Sequence, residues 1–132
     1  EILKVHDLFV TCAPVISQYA ALGALEMGEK ELNHFIKEFE RRRDLICSRL
    51  DNLSEIFSYI RPNSAYYVFP KILKGEKDSR NFSAKLLDEA QVAIVPGSAF
   101  GPIGEGHIRI NFGRSEEDIN KAFNRMEEYF KL

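Results

Sequence analysis

The chain is poor in the features that would assign it to a special class of protein. Two cysteines, Cys12 and Cys47, occur in 132 residues and in no CxxC spacing, which points to a reducing compartment, by default the cytoplasm, more than to a disulfide scaffold. No apolar stretch approaches the roughly 20 residues of a membrane span, and the opening EILKVHDLFV lacks the basic, apolar and small-residue succession of a signal peptide. There is no basic excess either. Lys and Arg number 18 against 20 Asp and Glu, for a formal net charge of -2 and a pI near 6.0, so nothing draws the chain generally to nucleic acid or to an anionic membrane. The one basic run, Arg41-Arg42-Arg43, is flanked by Glu38, Glu40 and Asp44 and reads as a solvated helix face. Internal repeats and low-complexity linkers are also missing.

What is present is an ordinary globular composition, 45% hydrophobic and 29% charged, in a length that suits one compact domain. The chain opens on Glu1 in place of Met, which leaves open that it is a processed or excised piece of something longer. Periodicity predicts a helix over about 15–27 and a longer one over about 29–53, where Leu32, Phe35, Ile36, Phe39, Ile46, Leu50 and Leu53 mostly recur at three- and four-residue steps. The runs IFSYI (56–60) and AYYVFPKI (65–72), joined by the turn formers Pro62-Asn63-Ser64, read as an antiparallel strand pair. After a polar loop from Lys74 to Ser79, Phe82, Leu86 and Leu87 mark a helix ending near Ala90, and VAIV (92–95) reads as a buried strand. Residues 107–112 alternate: Ile108, Ile110 and Phe112 take one side, His107, Arg109 and Asn111 the other. Ser115, followed by Glu116, Glu117 and Asp118, suits a helix start, with Ile119, Ala122, Phe123, Met126 and Phe130 as the buried stripe. The expected order is ααββαββα, an α/β or α+β two-layer sandwich with a small, mostly antiparallel sheet covered by helices.

Few residues stand in a pattern that carries chemistry. The glycines at 97, 101, 104 and 106 match neither GxGxxG nor GxxxxGK[ST] and lead into a strand, so they read as a flexible loop with unusual backbone angles more readily than as a phosphate cradle. His6, His34 and His107 form no pair with metal-ligand spacing. Ser98 lacks the GxSxG setting of an activated nucleophile, and neither cysteine has a recognisable one. Glu116 and Glu117 are more simply helix-start residues than an acid and base pair. By spacing alone, Arg109 on the outer side of its strand is more often a surface ion-pair former than a ligand clamp.

A longer comparison shifts that balance. The stretch VAIVPGSAFGPIGEGHIRINFGRSEED (92–118) resembles the C-terminal part of class I/II pyridoxal-phosphate aminotransferases of the aspartate aminotransferase fold type. In that family a strand, a PG-x-x-F loop, a glycine-rich segment and a strand carrying an arginine between apolar residues precede a helix opening with S-E-E-D. APVISQYAALGALE (13–26) is similar to the segment where the family's chain leaves the large cofactor domain, and RPNSAYYVFPKI (61–72) is similar to its P-x-G-A-F-Y strand, with Ser64 where glycine is usual.

The resemblance implies that Arg109 holds the substrate α-carboxylate and that Tyr66 lies near the substrate side chain, although Tyr66 reads equally well as an ordinary aromatic of a sheet core. It implies that residues 1–132 are one domain, the C-terminal small domain of an aminotransferase, with residues 1–28 approximating the connection from the large cofactor domain. The family's S-x-[SA]-K followed by G-x-R-x-G is absent; FSAK (82–85) is a superficial echo, since LLDEAQV follows Lys85 on an amphipathic helix. No catalytic or cofactor-binding residue is therefore expected in this chain, and pyridoxal phosphate is expected in the full-length enzyme but not bound by this piece alone. Implied partners are amino acid and 2-oxo acid substrates, the large cofactor domain and a second subunit in a homodimer. Two alternatives stand beside this one: another reaction of the same fold, such as a carbon-sulfur lyase or a cyclopropane-forming synthase, and a stand-alone non-catalytic binding module.

Overall fold

The computed structural model describes residues 1–10 and 12–131, except for the side chain of residue 30. The chain forms two compact units, Glu1–Lys37 and Glu38–Leu132. The first contains α1 (Ile2–Phe9), a helix that the apolar periodicity did not reveal, α2 (Val15–Glu26) and the start of α3 (Gly28–Asn52). All residues of α1 and α2 are exposed, among them Ile2, Leu8, Phe9, Ile16 and Leu25. The second unit contains the rest of α3, β1 (Phe57–Ser58), β2 (Tyr67–Val68), β3 (Lys71–Ile72), α4 (Ser79–Ala90), β4 (Val95–Pro96), β5 (Ile108–Asn111) and α5 (Glu116–Phe130). The architecture is α+β, with small antiparallel sheets and helices against them.

One apolar cluster holds the second unit together. Ile46, Leu50 and Leu53 of α3 and the residue that follows it, Phe82 and Leu86 of α4, and Ile119, Phe123 and Met126 of α5 meet Phe57, Val68, Ile72, Ile108, Ile110 and Phe112 from the strand side. The alternation of residues 108–112 is observed: Ile108, Ile110 and Phe112 are buried, Arg109 half-buried and Asn111 exposed. Burial of apolar surface at about 25 cal/mol per Å² is what fixes this side inward.

Several expectations need correction. The run 65–72 is not one strand paired with 56–60. Its first part, Tyr67–Val68, pairs with β5 (Tyr67 opposite Asn111, Val68 opposite Ile110), and only Lys71–Ile72 pairs with β1. Pro70 separates them because it has no N–H to give to a ladder; its carbonyl accepts from Ile108 N at 2.9 Å instead. VAIV is not a buried strand either, for β4 begins at Val95 and Ala93 is exposed. The apolar stripe of α3 is buried only in its C-terminal part, since Leu32, Phe35 and Ile36 are exposed, as is Leu87 on α4. Nor is the basic run a wholly solvated face: Arg42 is half-buried, donating to the Gly113 carbonyl at 3.3 Å and to Glu38 at 2.8 Å.

Helix ends follow the local chemistry. The Ser115 hydroxyl accepts from Asp118 N at 3.1 Å, with Glu116, Glu117 and Asp118 in the first turn where the helix dipole favours them. Asp78, within the expected polar loop, caps α4 by accepting from Arg80 N and Asn81 N at 3.0 and 2.9 Å. Ser79 already belongs to that helix. No helix among the described residues is long and apolar enough to cross a membrane.

Candidate functional site: an arginine against two aromatic rings

Because side chains alternate along a strand, the residues that leave the core on β5 share a side with those that leave it on the paired β2. Arg109 and Asn111 thus stand on the side that Tyr67 occupies, away from the buried pair Val68 and Ile110. The guanidinium carbon of Arg109 lies 4.4 Å from the centre of the Tyr67 ring and 4.7 Å from that of Phe100. Attraction of this kind is worth about 0.5–2 kcal/mol per ring, depending on how far water is excluded. The neighbouring aromatic groups continue the surface: Phe69 meets Phe100 edge-on at 5.8 Å and stacks on His107 at 5.2 Å with planes 5° apart.

Among the described residues Arg109, like Arg80, Arg114 and Arg125 but unlike the other five arginines, forms no salt bridge. Arg41, Arg42, Arg43, Arg49 and Arg61 each meet a carboxylate. Among the described residues no carboxylate comes within 4.0 Å of the Arg109 guanidinium, so the surface ion-pair reading does not describe it. The Tyr67 phenol is held above its ordinary pKa, first by its neighbour Tyr66 and then by burial, while the positive charge of Arg109 pulls the other way.

Tyr66, the other residue singled out by the sequence, is adjacent without touching the guanidinium in this way. It is exposed, stacks on Phe39 at 6.0 Å and has its ring centre 4.4 Å from that of Tyr67. The turn before it contains the backbone oddity: Ala65 has φ +62°, in the left-handed region, whereas Ser64 is not among the residues of positive φ. Sequence reasoning missed Tyr67 and Phe100 as neighbours of Arg109, although Phe100 was visible as the last residue of the PG-x-x-F pattern.

Phe100 is carried by a structured segment in place of the flexible loop expected. Gly97–Phe100 and Pro102–Gly104 are 3-10 turns, and Gly97 N donates to the His107 carbonyl at 2.8 Å. Gly97 and Gly104 approach each other backbone to backbone, so that a Cβ at Gly97 would meet the Gly104 carbonyl oxygen and fall 2.6 Å from the His107 oxygen. These glycines are required by close approach. A concavity of about 430 Å³ between α5 and residues 91–94 lies apart from this arrangement and touches β5 at Ile110 and Asn111. Its rim cations Arg114, Lys121 and Arg125 are exposed, whereas Arg109 is half-buried and packed against two rings.

The fold is thus α+β, with the Arg109 guanidinium packed against two aromatic rings on the outer side of its sheet. The profile of the family described as "Aminotransferase class I and II" matches residues 2–126, and the chain belongs to that family. The (5-formylfuran-3-yl)methyl phosphate transaminase of Methanocaldococcus jannaschii is 44% identical over 129 residues, which are 97% of this chain and 34% of that protein. An aspartate aminotransferase of Pyrococcus abyssi is 40% identical over 133 residues, 99% of this chain and 34% of that protein. Among solved structures, an aromatic aminotransferase from Pyrococcus horikoshii OT3 superposes with a TM-score of 0.87 at 39% identity, over 97% of this chain and 34% of that one. The chain spans about a third of the length of the curated relatives it matches.

The family depends on pyridoxal phosphate, but the groups gathered here do not fit that cofactor. The side chains against Arg109 are aromatic rings, Lys85 lies on α4 at 3.9 Å from Glu76, and the space at Gly97 and Gly104 is filled by their own backbones.

Proposed function

We propose that this chain is the C-terminal small domain of an aminotransferase, one that transfers an amino group between an amino acid and a 2-oxo acid, and that it supplies Arg109 as the holder of the substrate α-carboxylate. The observation that carries the proposal is the guanidinium packed against Tyr67 and Phe100 with no carboxylate of its own within 4.0 Å among the described residues. Ring contacts restrict the group before a ligand arrives, and its N–H edges remain for one. A guanidinium offers two parallel donors that match the two oxygens of a carboxylate, and an ammonium cannot reproduce that fork. Tyr66 and Tyr67 then form the wall beside the substrate.

In this proposal the remainder of the full-length protein holds pyridoxal phosphate and its lysine, and the domain forms the mobile wall of the cleft and is inactive alone. The exposed apolar residues of α1 and α2 support the view that residues 1–28 approximate the connection to a large domain, because apolar surface of that extent is uncommon on a finished surface. The complete enzyme is a cytoplasmic homodimer.

The test is made in the full-length enzyme. Removing one partner of a buried charged pair costs about 2–5 kcal/mol, which is roughly 30-fold to several thousandfold in rate. Arg109→Lys and Arg109→Ala are expected to lower kcat/KM by that range for amino and oxo acids alike, with cofactor binding unchanged. Activity within about threefold of the parent, an effect of only ~0.6 kcal/mol, refutes the assignment.

A further inference from the structure

We infer that Glu105 is a positioning residue, whose carboxylate pins the glycine-rich segment to the start of α4 and so fixes Phe100 against the Arg109 guanidinium. The inference rests on the function proposed for Arg109 and adds the device that sets its geometry. One carboxylate oxygen of Glu105 accepts from Ser79 N at 2.7 Å and from Gly106 N at 3.0 Å. The first of these is an amide of the opening turn of α4, a donor with no partner inside the helix and in the positive end of its dipole. The carboxyl is correspondingly held below its ordinary pKa, first by the bond from the Ser79 backbone and then by that from Gly106.

A second attachment lies on the other side of Phe100. The Ser79 side chain is fully buried, its hydroxyl 3.0 Å from the Ser98 hydroxyl and accepting from Ser98 N at 3.2 Å. The same helix residue therefore grips the segment at position 98 and at position 105, and the backbone contact between Gly97 and Gly104 closes the stretch between them. Phe100 sits within that closed stretch and is 50% exposed, so beyond its edge contact with Phe69 its ring is located by the two grips. If either grip opens, the ring 4.7 Å from the guanidinium carbon loses its reference.

A simple helix cap would stabilise the fold and leave Arg109 untouched; a positioning residue must alter it. Two readouts separate these. In the 132-residue chain, the Arg109 Nε–Hε resonance is expected to carry ring-current shifts from Tyr67 and Phe100, and Glu105→Ala is expected to move it toward the value of free arginine, as is Phe100→Leu. In the full-length enzyme, Glu105→Ala is expected to raise KM for amino and oxo acids about tenfold with kcat within about twofold, because a misaligned clamp weakens ground state and transition state together. Should Glu105→Ala fail to fold, Glu105→Asp, whose shorter carboxylate cannot reach both amides, is expected to give a smaller change in the same direction. A variant that melts earlier yet keeps the parental Arg109 resonance and KM overturns the inference. The resonance is independent of the reaction, so failure of Arg109→Lys to affect kcat/KM would sink the proposed function without deciding the placement of Phe100.

Discussion

Arg109 could be placed on the outer side of its strand from alternation alone, because a period of two leaves no other choice once Ile108, Ile110 and Phe112 are buried. Which aromatic residue would meet it was not legible. Tyr66 and Tyr67 are adjacent, and the register with β5, a contact more than 40 residues away in the chain, decides that Tyr67 takes the guanidinium's side. The strain at Ala65 was hidden for the same reason, since nothing in the stretch PNSAYY marks the left-handed φ of +62° that the observed path demands. An L-residue pays about 1–2 kcal/mol in that region, and glycine does not. Ala65→Gly is therefore expected to stabilise the chain by about 0.5–1 kcal/mol after the greater chain entropy of glycine is subtracted, read as a higher urea midpoint at unchanged slope. A lower midpoint would show that the turn is not strained.

At the scale of elements, the helices other than α1 were legible and the strands less so. The final helix was readable because Ser115, three acidic residues and an apolar stripe agree. Of the strands, β5 was found in place, whereas AYYVFPKI was divided by Pro70 and VAIV yielded only its last residue to β4. Short strands depend on partners, and partners are not local. The Glu105 clamp belongs to this scale too, joining the glycine-rich segment to α4. A carboxyl whose folded pKa lies below its unfolded value contributes stability that is present above the unfolded value and lost as pH falls through the folded one. Glu105→Gln is thus expected to melt below the parent above about pH 5, and the two curves should converge under more acidic conditions as the parent's carboxylate is protonated. Thermal melts across that range check it, and a gap that widens on acidification would contradict it.

For the molecule as a whole, composition and pattern were enough to anticipate an α+β fold, and the three comparisons place the chain in the class I and II aminotransferases. At Leu32, Phe35 and Ile36 the apolar face that the periodicity marks is exposed in this chain. Periodicity reports that a face is apolar, not what covers it. All of the buried core lies between Ile46 and Met126, so a chain of residues 38–132 is expected to melt cooperatively on its own; a broad, non-cooperative melt would show that the core is incomplete without the first unit.

The central claim is that Arg109 recognises the carboxylate of the substrate, and it is tested most directly by comparing an amino acid with the amine that lacks only that group. In the full-length enzyme, kcat/KM is measured for both, in the parent and in Arg109→Ala. The account predicts that the parent favours the amino acid by roughly 30-fold or more and that the variant loses this preference by falling on the amino acid alone, the difference corresponding to at least about 2 kcal/mol of carboxylate recognition. A variant that falls equally on the amino acid and the amine would contradict it.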